Sequence, residues 1–326
     1  MRKRIVQIIF ILLTVFTLWY IDGVLCIKSM HGVDQARGLY FQPRDSVDVV
    51  MMGSSHVHCD IDIAVLWKEY GIAAYDYSAA EQPLWGAYHY LKEFVKYQDP
   101  KVVVLELYSP ARFKDDYQYA WLPENLCGMR FSLNKLQLLK VSAEPDKYKE
   151  FFPDFVYYHD RIFSLEPYDF SFPFRKYAEL PYYKGFTPFY ERIPQEKPVH
   201  RTDECSGLTD KSELYLNRII EYTKSMDIEL YLLVSPYIMM EEDEKTFNRI
   251  KEIADENGIP FWNANMDYDL IGLDFDEDFN DLSHLNYWGA VKYTHLLGKK
   301  LKERYDIPDR RNDKKYHTWQ KYSEGF

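Results

Sequence analysis

Three residues whose side chains could together perform acyl transfer are spread over the chain: Ser55, Asp281 and His284. Asp281 and His284 are three positions apart, just before an amphipathic run. In the first turn of a helix, such residues share one face, so the carboxylate can orient the imidazole. An oriented imidazole can take a proton from a serine that the fold brings close. We therefore predict Ser55 as nucleophile, His284 as general base and then acid, and Asp281 as the residue that orients His284.

The predicted elements that must position these residues alternate between strands and helices. Ser55 comes two residues after Gly53, which ends the apolar run Val47–Met52, and that run predicts a strand buried on both faces. Strands alternating with helices predict a parallel sheet, with ligands bound outside the carboxyl ends of its strands. The other predicted strands are Ile72–Ser78, Lys101–Tyr108, Glu229–Tyr237 and Ile259–Asn263, and the main helices are Leu84–Tyr97, Ser212–Ser225 and Glu242–Asn257.

Gly53-x-Ser55 and Asp281-x-x-His284 resemble the first and last sequence blocks of the SGNH (GDSL-type) hydrolases. The match is most similar to the membrane-anchored branch that serves teichoic acid D-alanylation and alginate O-acetylation. It covers residues 45 to about 305, apart from a large insert. The resemblance implies a three-layer, flavodoxin-like α/β fold of the SGNH hydrolase type, with a parallel sheet and a serine-dependent acyl-transfer site.

The two middle blocks of that family are altered in this chain. SGNH enzymes place a glycine at the end of the second strand, where its N–H helps to bind the oxyanion, and Ala80 stands at that position. Gln82 is a side-chain donor in the same turn. Where the family has a Gly and an Asn after the third strand, this chain has Glu106-Leu107-Tyr108. Loss of one oxyanion donor costs about 10²–10³ in rate, so slow catalysis or binding without turnover are alternatives.

The N-terminus has the pattern of a membrane anchor. Three basic residues, Arg2 to Arg4, precede an uncharged apolar run from Ile5 to Ile21. This run has the length of a short bilayer span, and the basic residues place the N-terminus in the cytoplasm. A cleaved signal peptide is the alternative, but no small-x-small site follows the run cleanly. We predict an uncleaved single-pass anchor in the cell membrane, with the remaining chain outside the cytoplasm.

Composition limits the classes of partner and cofactor. The 326 residues are 47% hydrophobic and 17% aromatic, and their formal net charge of −11 does not favour nucleic acid. The four cysteines have no metal-ligand spacing, so we predict neither a metal nor an organic cofactor. His56-x-His58-x-Asp60 is a spacing used by metal hydrolases, but the other histidines stand singly.

These patterns divide the chain into four parts. Residues 1–27 are the anchor, 28–45 a connector, 46–308 the SGNH-like α/β domain, and 309–326 a polar, poorly ordered tail. The α/β domain is interrupted by an aromatic-rich insert at 111–206. Its aromatic side chains either line a groove for a carbohydrate or a lipid-linked ligand, or form a core of their own.

We therefore expect an extracytoplasmic serine-dependent O-acyltransferase or esterase acting on a cell-surface polysaccharide or teichoic-type polymer. Its expected partner is a multi-pass membrane acyl donor protein. Transfer is favoured over hydrolysis, because a tether raises the effective concentration of a nascent polymer and an aromatic insert over the crevice would exclude water. The alternative function is a non-catalytic SGNH-fold binding or assembly protein of a cell-envelope modification system.

Overall fold

A five-stranded parallel sheet forms the centre of the protein in a computed structural model that describes residues 2–199 and 201–325. The strand order β2-β1-β3-β4-β5 is that of flavodoxin-like doubly wound folds. All five predicted strands are confirmed, and the predicted α/β class is confirmed with them. The strands are β1 Val49–Met52, β2 Ala74–Asp76, β3 Val102–Glu106, β4 Glu229–Val234 and β5 Phe261–Asn263.

Helices precede, connect and follow the strands. They are α1 Arg2–Leu25, α2 Val33–Leu39, α3 Ser55–Asp60, α4 Ile63–Tyr70, α5 Leu84–Phe94, α6 Tyr108–Arg112, α7 Leu122–Cys127, α8 Leu133–Ser142, α9 Tyr148–Phe151, α10 Asp154–Tyr157, α11 Pro167–Glu179, α12 Asp210–Ser225, α13 Glu241–Asn257, α14 Tyr268–Ile271, α15 Tyr287–Arg304 and α16 His317–Ser323. Helices α4, α15 and α16 pack together, and α5, α8 and α12 form a second packed group. Two such groups provide the helical cover that a parallel sheet needs on both faces.

Local signals explain where several helices begin and end. The Asp62 carboxylate accepts a hydrogen bond of 2.8 Å from the Ala64 N–H and so caps α4, as its position before an apolar run predicts. Gly258 ends α13 with φ of 67°, a left-handed conformation that costs glycine little. The strand–helix alternation is therefore encoded by short-range chemistry.

The predicted connector and tail are both packed parts of the fold. Residues 33–39 form α2, and every one of its side chains is buried. The tail forms α16, in which Trp319 is fully buried and donates a 2.7 Å hydrogen bond to the Ala74 carbonyl oxygen. Arg310 makes two hydrogen bonds of 2.8 Å to the Asp48 carboxylate. The prediction of a poorly ordered tail is wrong. Its aromatic residues Tyr316, Trp319 and Tyr322 are buried in the hydrophobic core.

The insert is mostly helical from Leu122 to Glu179. Residues 183–199 and 201–209 belong to neither a helix nor a strand. Its helix α11 lies against α1: the Trp19 and Phe174 rings are 5.5 Å apart, and the Tyr20 hydroxyl donates to the Phe170 carbonyl. The rings of Phe174 and Tyr177 in the insert therefore lie against the N-terminal helix. The domain boundaries assigned from the sequence stay predictions.

Helix α1 is 24 residues long, with a mean hydropathy of 2.2 in its most apolar window. Its side chains are exposed as far as Leu18, and burial begins near Gly23. By length and composition this helix fits either a membrane anchor or a signal sequence.

Candidate active site

The end of β1 turns sharply into α3, which places two serines at the edge of the sheet. Gly53 adopts φ of 142°, and a Cβ atom there would lie 2.8 Å from the Glu106 Cβ and 2.9 Å from the Glu106 carbonyl oxygen. Glycine therefore lets the ends of β1 and β3 approach each other closely. Ser54 precedes the helix and Ser55 is its first residue. Because β1 and β3 are adjacent strands where the chain order reverses, this is the usual ligand-binding edge of such a sheet.

Ser55, His284 and Asp281 form a continuous hydrogen-bonded chain. The Ser55 Oγ lies 2.8 Å from His284 Nε2. On the other side of the ring, His284 Nδ1 is 3.1 Å from Asp281 Oδ2 and 3.2 Å from Oδ1. With the carboxylate on Nδ1, that nitrogen carries the proton and Nε2 is left to accept from the serine hydroxyl. The fold thus brings Ser55 and His284 within hydrogen-bond distance of each other, as predicted.

A turn, and not a helix, holds Asp281 and His284 together. Helix α15 begins only at Tyr287, so the prediction that both residues lie in its first turn is wrong. The Asp281 Oδ1 accepts hydrogen bonds from the Ser283 N–H at 2.7 Å and the His284 N–H at 2.9 Å. A short aspartate side chain commonly stabilises turns in this way.

The Asp281 carboxylate is held in its charged form. Partial burial raises its pKa, but hydrogen bonds from His284, Asn280 and the Ser283 N–H outweigh this and leave the pKa well below its usual range. The Asn280 amide contributes a bond of 3.0 Å to Oδ2. A carboxylate that stays ionised can orient the imidazole and stabilise the imidazolium that forms when His284 takes a proton.

The short helix α3 positions both sides of the serine–histidine contact. It carries Ser55 at its start and Asp60 at its end. Asp60 is fully buried, and its Oδ1 accepts a 3.0 Å hydrogen bond from the Leu285 N–H, next to His284. Burial, followed by the nearby Asp281 charge, raises the Asp60 pKa well above its usual range. Sequence reasoning missed Asp60, because it was considered only as a helix cap or metal ligand.

A second polar chain runs behind the first. The buried Glu106 Oε2 accepts a 3.0 Å hydrogen bond from the Ser54 hydroxyl, whose oxygen is 3.2 Å from His56 Nδ1. The His56 ring stacks on Tyr108 with centroids 3.8 Å apart and lies 4.9 Å from the His284 ring. Burial raises the Glu106 pKa to about 7 and keeps the His56 pKa well below its usual value. Glu106 is therefore hydrogen-bonded to Ser54, whereas Ser55 is hydrogen-bonded to His284.

The two predicted oxyanion donors are occupied by other partners. The Ala80 N–H donates a 2.8 Å hydrogen bond to the His31 carbonyl oxygen. The Gln82 side-chain amide, which is buried, donates to Asn125 Oδ1 at 3.3 Å. Both groups therefore have acceptors that the local sequence does not reveal, one in the segment before α2 and one in the insert helix α7. The Ser55 N–H, as the first in α3, has no acceptor within the helix.

The possible metal motif His56-x-His58-x-Asp60 does not converge on one point. His56 faces Tyr108 and Ser54, while His58 is buried and hydrogen bonds through Nε2 to His31 at 3.1 Å and through Nδ1 to Ser78 at 2.9 Å. His58 therefore lies in the interior and not at the surface. Within 2–199 and 201–325, the ligand atoms of His31, His58 and Cys59 do lie within 4.8 Å of one another.

The last part of the insert lies over the His284 turn. The Phe189 ring is 5.5 Å from the His284 ring and 6.2 Å from the His31 ring. The Tyr287 N–H donates a 2.7 Å hydrogen bond to the Phe189 carbonyl oxygen, which fixes this extended segment beside the start of α15. The Phe189 side chain of the insert thus borders the serine–histidine pair, while those of Phe174 and Tyr177 lie against α1.

Comparisons with known proteins do not assign the chain to a family. No protein-family profile matches the sequence, and no curated protein matches it significantly. Among solved structures, the chain is similar to a "putative acylhydrolase" from Bacteroides fragilis, with a TM-score of 0.38 and 13% identity over 80% of this chain and 90% of that one. The functional argument therefore depends on the residues of this chain.

Proposed function

We propose that this protein is an extracytoplasmic, serine-dependent O-acyltransferase or esterase that modifies a cell-surface polysaccharide or teichoic-type polymer. The observation that carries the proposal is the chain from Ser55 through His284 to Asp281, with contacts of 2.8 Å and 3.1 Å. Nucleophile, base and orienting acid are all within hydrogen-bond distance, which is the geometric requirement for acyl transfer by serine. The N-terminal helix supports membrane attachment, and a multi-pass acyl donor protein is the proposed partner.

The chemistry follows from the proton positions. The Ser55 Oγ attacks the carbonyl carbon of an ester while its proton passes to His284 Nε2, and the resulting imidazolium is stabilised by Asp281. The tetrahedral intermediate collapses by breaking the ester C–O bond, and the leaving alkoxide takes the proton from His284. An acyl-Ser55 ester remains. In the second half, His284 removes a proton from the incoming hydroxyl, which attacks the acyl carbon. The bond between the acyl carbon and Ser55 Oγ then breaks, and His284 returns the proton to Oγ.

The incoming hydroxyl decides between esterase and transferase. Water gives hydrolysis and a sugar or polyol hydroxyl gives transfer. Phe189 offers an apolar surface beside His284 on which the ring of a sugar acceptor can pack, and such a surface also reduces access of water. We infer that transfer to a polymer hydroxyl is the main reaction.

A non-catalytic binding role is the second candidate, and a specific observation favours it. The Ala80 N–H and the Gln82 amide have acceptors elsewhere, and the Tyr108 N–H after β3 donates to Glu106 Oε1 at 2.9 Å. A site without enough oxyanion donors would bind an acylated polymer and turn it over slowly.

The decisive experiment uses the full chain in nonionic detergent with p-nitrophenyl acetate and oligosaccharides from the cell surface. Nitrophenol release reports acylation of the enzyme, and mass spectrometry of free acetate and acetylated sugar reports the fate of the acyl group. We expect Ser55→Ala to lose nitrophenol release by on the order of 10³-fold or more. We also expect acetylated sugar to rise with oligosaccharide concentration at the expense of acetate.

Two controls make the result specific. Ser225→Ala removes an exposed hydroxyl at the end of α12 and should match the wild type. Ser54→Ala tests whether the neighbouring serine is the nucleophile. If Ser55→Ala and the wild type release nitrophenol at the same rate, the proposal of a Ser55-dependent enzyme is wrong and the binding function is favoured. Acetate release that ignores the oligosaccharide, with no acetylated sugar, would establish an esterase.

A further inference from the structure

A cavity of about 630 Å³ lies where α1 meets α2 and the insert. Its lining includes Trp19 and Asp22 from α1, Arg37 from α2, and Lys135 from α8. Neither Ser55, His284 nor Asp281 contributes to it, so it is separate from the candidate active site.

Arg37 is the unusual residue of this cavity. It is only 7% exposed, yet its Nη1 contacts Cys26 Sγ at 3.2 Å and its Nη2 contacts Cys127 Sγ at 3.7 Å. Among the residues that the structure describes, no carboxylate lies within 4.0 Å of it. A guanidinium group has five N–H donors and always carries its charge, and thiols are weak acceptors. Because buried charges are normally paired, Arg37 has the donors and the charge for an anionic ligand.

The rest of the lining gives the cavity two chemical zones. The buried Lys135 forms an ion pair of 2.5 Å with Asp154. The three cationic side chains of Arg37, Arg130 and Lys135 outnumber the two carboxyl groups of Asp22 and Asp154 in the lining. Aromatic rings form the other zone: Tyr177 stacks on Phe41 at 5.2 Å and on Trp19 at 5.8 Å. A positive end beside an aromatic wall suits a ligand with an anionic head and an apolar tail.

The cavity lies at the level where a bilayer around α1 would end. Side chains of α1 are exposed up to Leu18 and become buried from Gly23, and Trp19 lies between them. Tryptophan and tyrosine are typical of the headgroup region. Large apolar side chains nearby are also unusually exposed: Phe131 at 71%, Leu133 at 79% and Phe163 at 89%. These residues have the character of a surface that contacts lipid.

We propose that this cavity binds the phosphate head group of an anionic membrane glycerolipid, with the Arg37 guanidinium on the phosphate. The planar guanidinium fork matches two phosphate oxygens, while the aromatic wall covers the first part of the acyl chains. The proposal assumes that α1 lies in the membrane, and it is independent of any chemistry at Ser55. A lipid held there would seat the insert on the membrane surface.

Isothermal titration calorimetry on the full chain in nonionic detergent tests the proposal with three probes: dihexanoyl phosphatidic acid, dihexanoylglycerol and inorganic phosphate. We expect the phosphatidic acid to bind at least about tenfold more tightly than either of the others. Arg37→Met should weaken its binding by about 10- to 100-fold, the equivalent of one charge-assisted contact. Arg218→Met, which removes an exposed arginine on α12 outside the cavity, is the matched control.

Other outcomes overturn the proposal. Equal binding of dihexanoylglycerol would show an apolar site without phosphate recognition, and equal binding of inorganic phosphate would show an ion site only. Should Arg37→Met fail to fold, phosphatidic acid with brominated acyl chains provides a second measurement. It should quench tryptophan fluorescence in the wild type and quench it less in Trp19→Phe, which keeps an aromatic ring in the wall. Identical quenching in both proteins would exclude a lipid at this site.

Discussion

Two consecutive serines at the end of β1 have different surroundings, and burial separates their roles. Ser54 is only 1% exposed and donates to the buried Glu106, whereas Ser55 is half-buried and contacts His284. Only Ser55 combines access to a ligand with a histidine that an ionised carboxylate orients. The buried hydrogen bond from Ser54 to Glu106 stabilises the turn at which Ser55 lies.

Glu106 predicts a measurable dependence of stability on pH. Its pKa is raised from 4.5 to about 7, chiefly because burial disfavours the charged form. The folded protein therefore binds this proton more tightly than the unfolded chain, so the contribution of Glu106 to the free energy of unfolding falls as pH rises from about 4.5 to 7. Glu106→Gln should remove this contribution, which is on the order of 3 kcal/mol at most.

Urea unfolding of the full chain in detergent at pH 5 and pH 8 measures the effect. We expect the loss of stability between these two values to be smaller in Glu106→Gln than in the wild type. Glu221→Gln, an exposed position on α12, should leave the difference unchanged. If Glu106→Gln shows the same pH dependence as the wild type, Glu106 does not take up a proton in the folded state.

At the scale of elements, α3 couples the nucleophile to its base. Asp60 at the end of this helix binds the backbone next to His284, so a shift of α3 moves both partners together. Asp60→Ala removes that connection, and misplacement of a catalytic group by about 1 Å can cost 10²-fold in rate. We expect nitrophenyl acetate turnover to fall 10- to 100-fold. Asp60→Asn keeps the accepting oxygen and should retain most activity, whereas equal losses in both variants would contradict a positioning role.

The junction of β1 and β3 predicts a strong effect of one added methyl group. Gly53→Ala forces an alanine into a left-handed φ and places its Cβ 2.8 Å from the Glu106 Cβ. Backbone strain and overpacking together should lower the free energy of unfolding by about 2–5 kcal/mol. Thermal unfolding followed by circular dichroism measures this. Gly207→Ala, whose added Cβ would meet no atom within 4 Å, is the matched control, and similar midpoints for both variants would show that the junction tolerates a side chain.

For the whole molecule, the end of α1 is fixed to the body of the protein. Lys28 Nζ donates to the Val24 carbonyl at 2.7 Å and to the Cys26 carbonyl at 2.9 Å, and Arg161 donates to the Leu25 carbonyl at 3.0 Å. Asp169 then joins the two cations, at 2.8 Å from Lys28 and 2.9 Å from Arg161. Cations at the C-terminal carbonyls of a helix stabilise it. The candidate active site therefore has a fixed position relative to the proposed membrane anchor.

The predicted topology can be tested with a thiol that the chain already contains. Cys205 is exposed, whereas Cys26, Cys59 and Cys127 are buried. If the domain lies outside the cytoplasm, a membrane-impermeant maleimide added to intact cells should label the protein. Cys205→Ser should abolish this labelling. Labelling that requires cell lysis would place the domain in the cytoplasm and contradict the proposed location.

The sequence alone was sufficient for the features that depend on neighbouring residues. Apolar, β-branched runs located all five strands, Asp60 and Asp62 were the two candidate caps for α4, and Gly258 marked the end of α13. These patterns are readable because strand burial and helix capping act over a few residues. The residue types and spacing of Ser55, Asp281 and His284 likewise indicated one site, although the turn that holds the last two was mistaken for a helix.

Only the tertiary structure decided which polar groups meet. Glu106 binds Ser54, Asp60 binds the Leu285 N–H, and the Ala80 N–H donates to His31, in each case across a long stretch of chain. Burial of α2 and of Trp319 in α16 was hidden for the same reason. Hydrogen-bond partners and burial depend on which distant elements pack together, and packing between elements leaves no periodic pattern in either of the segments involved.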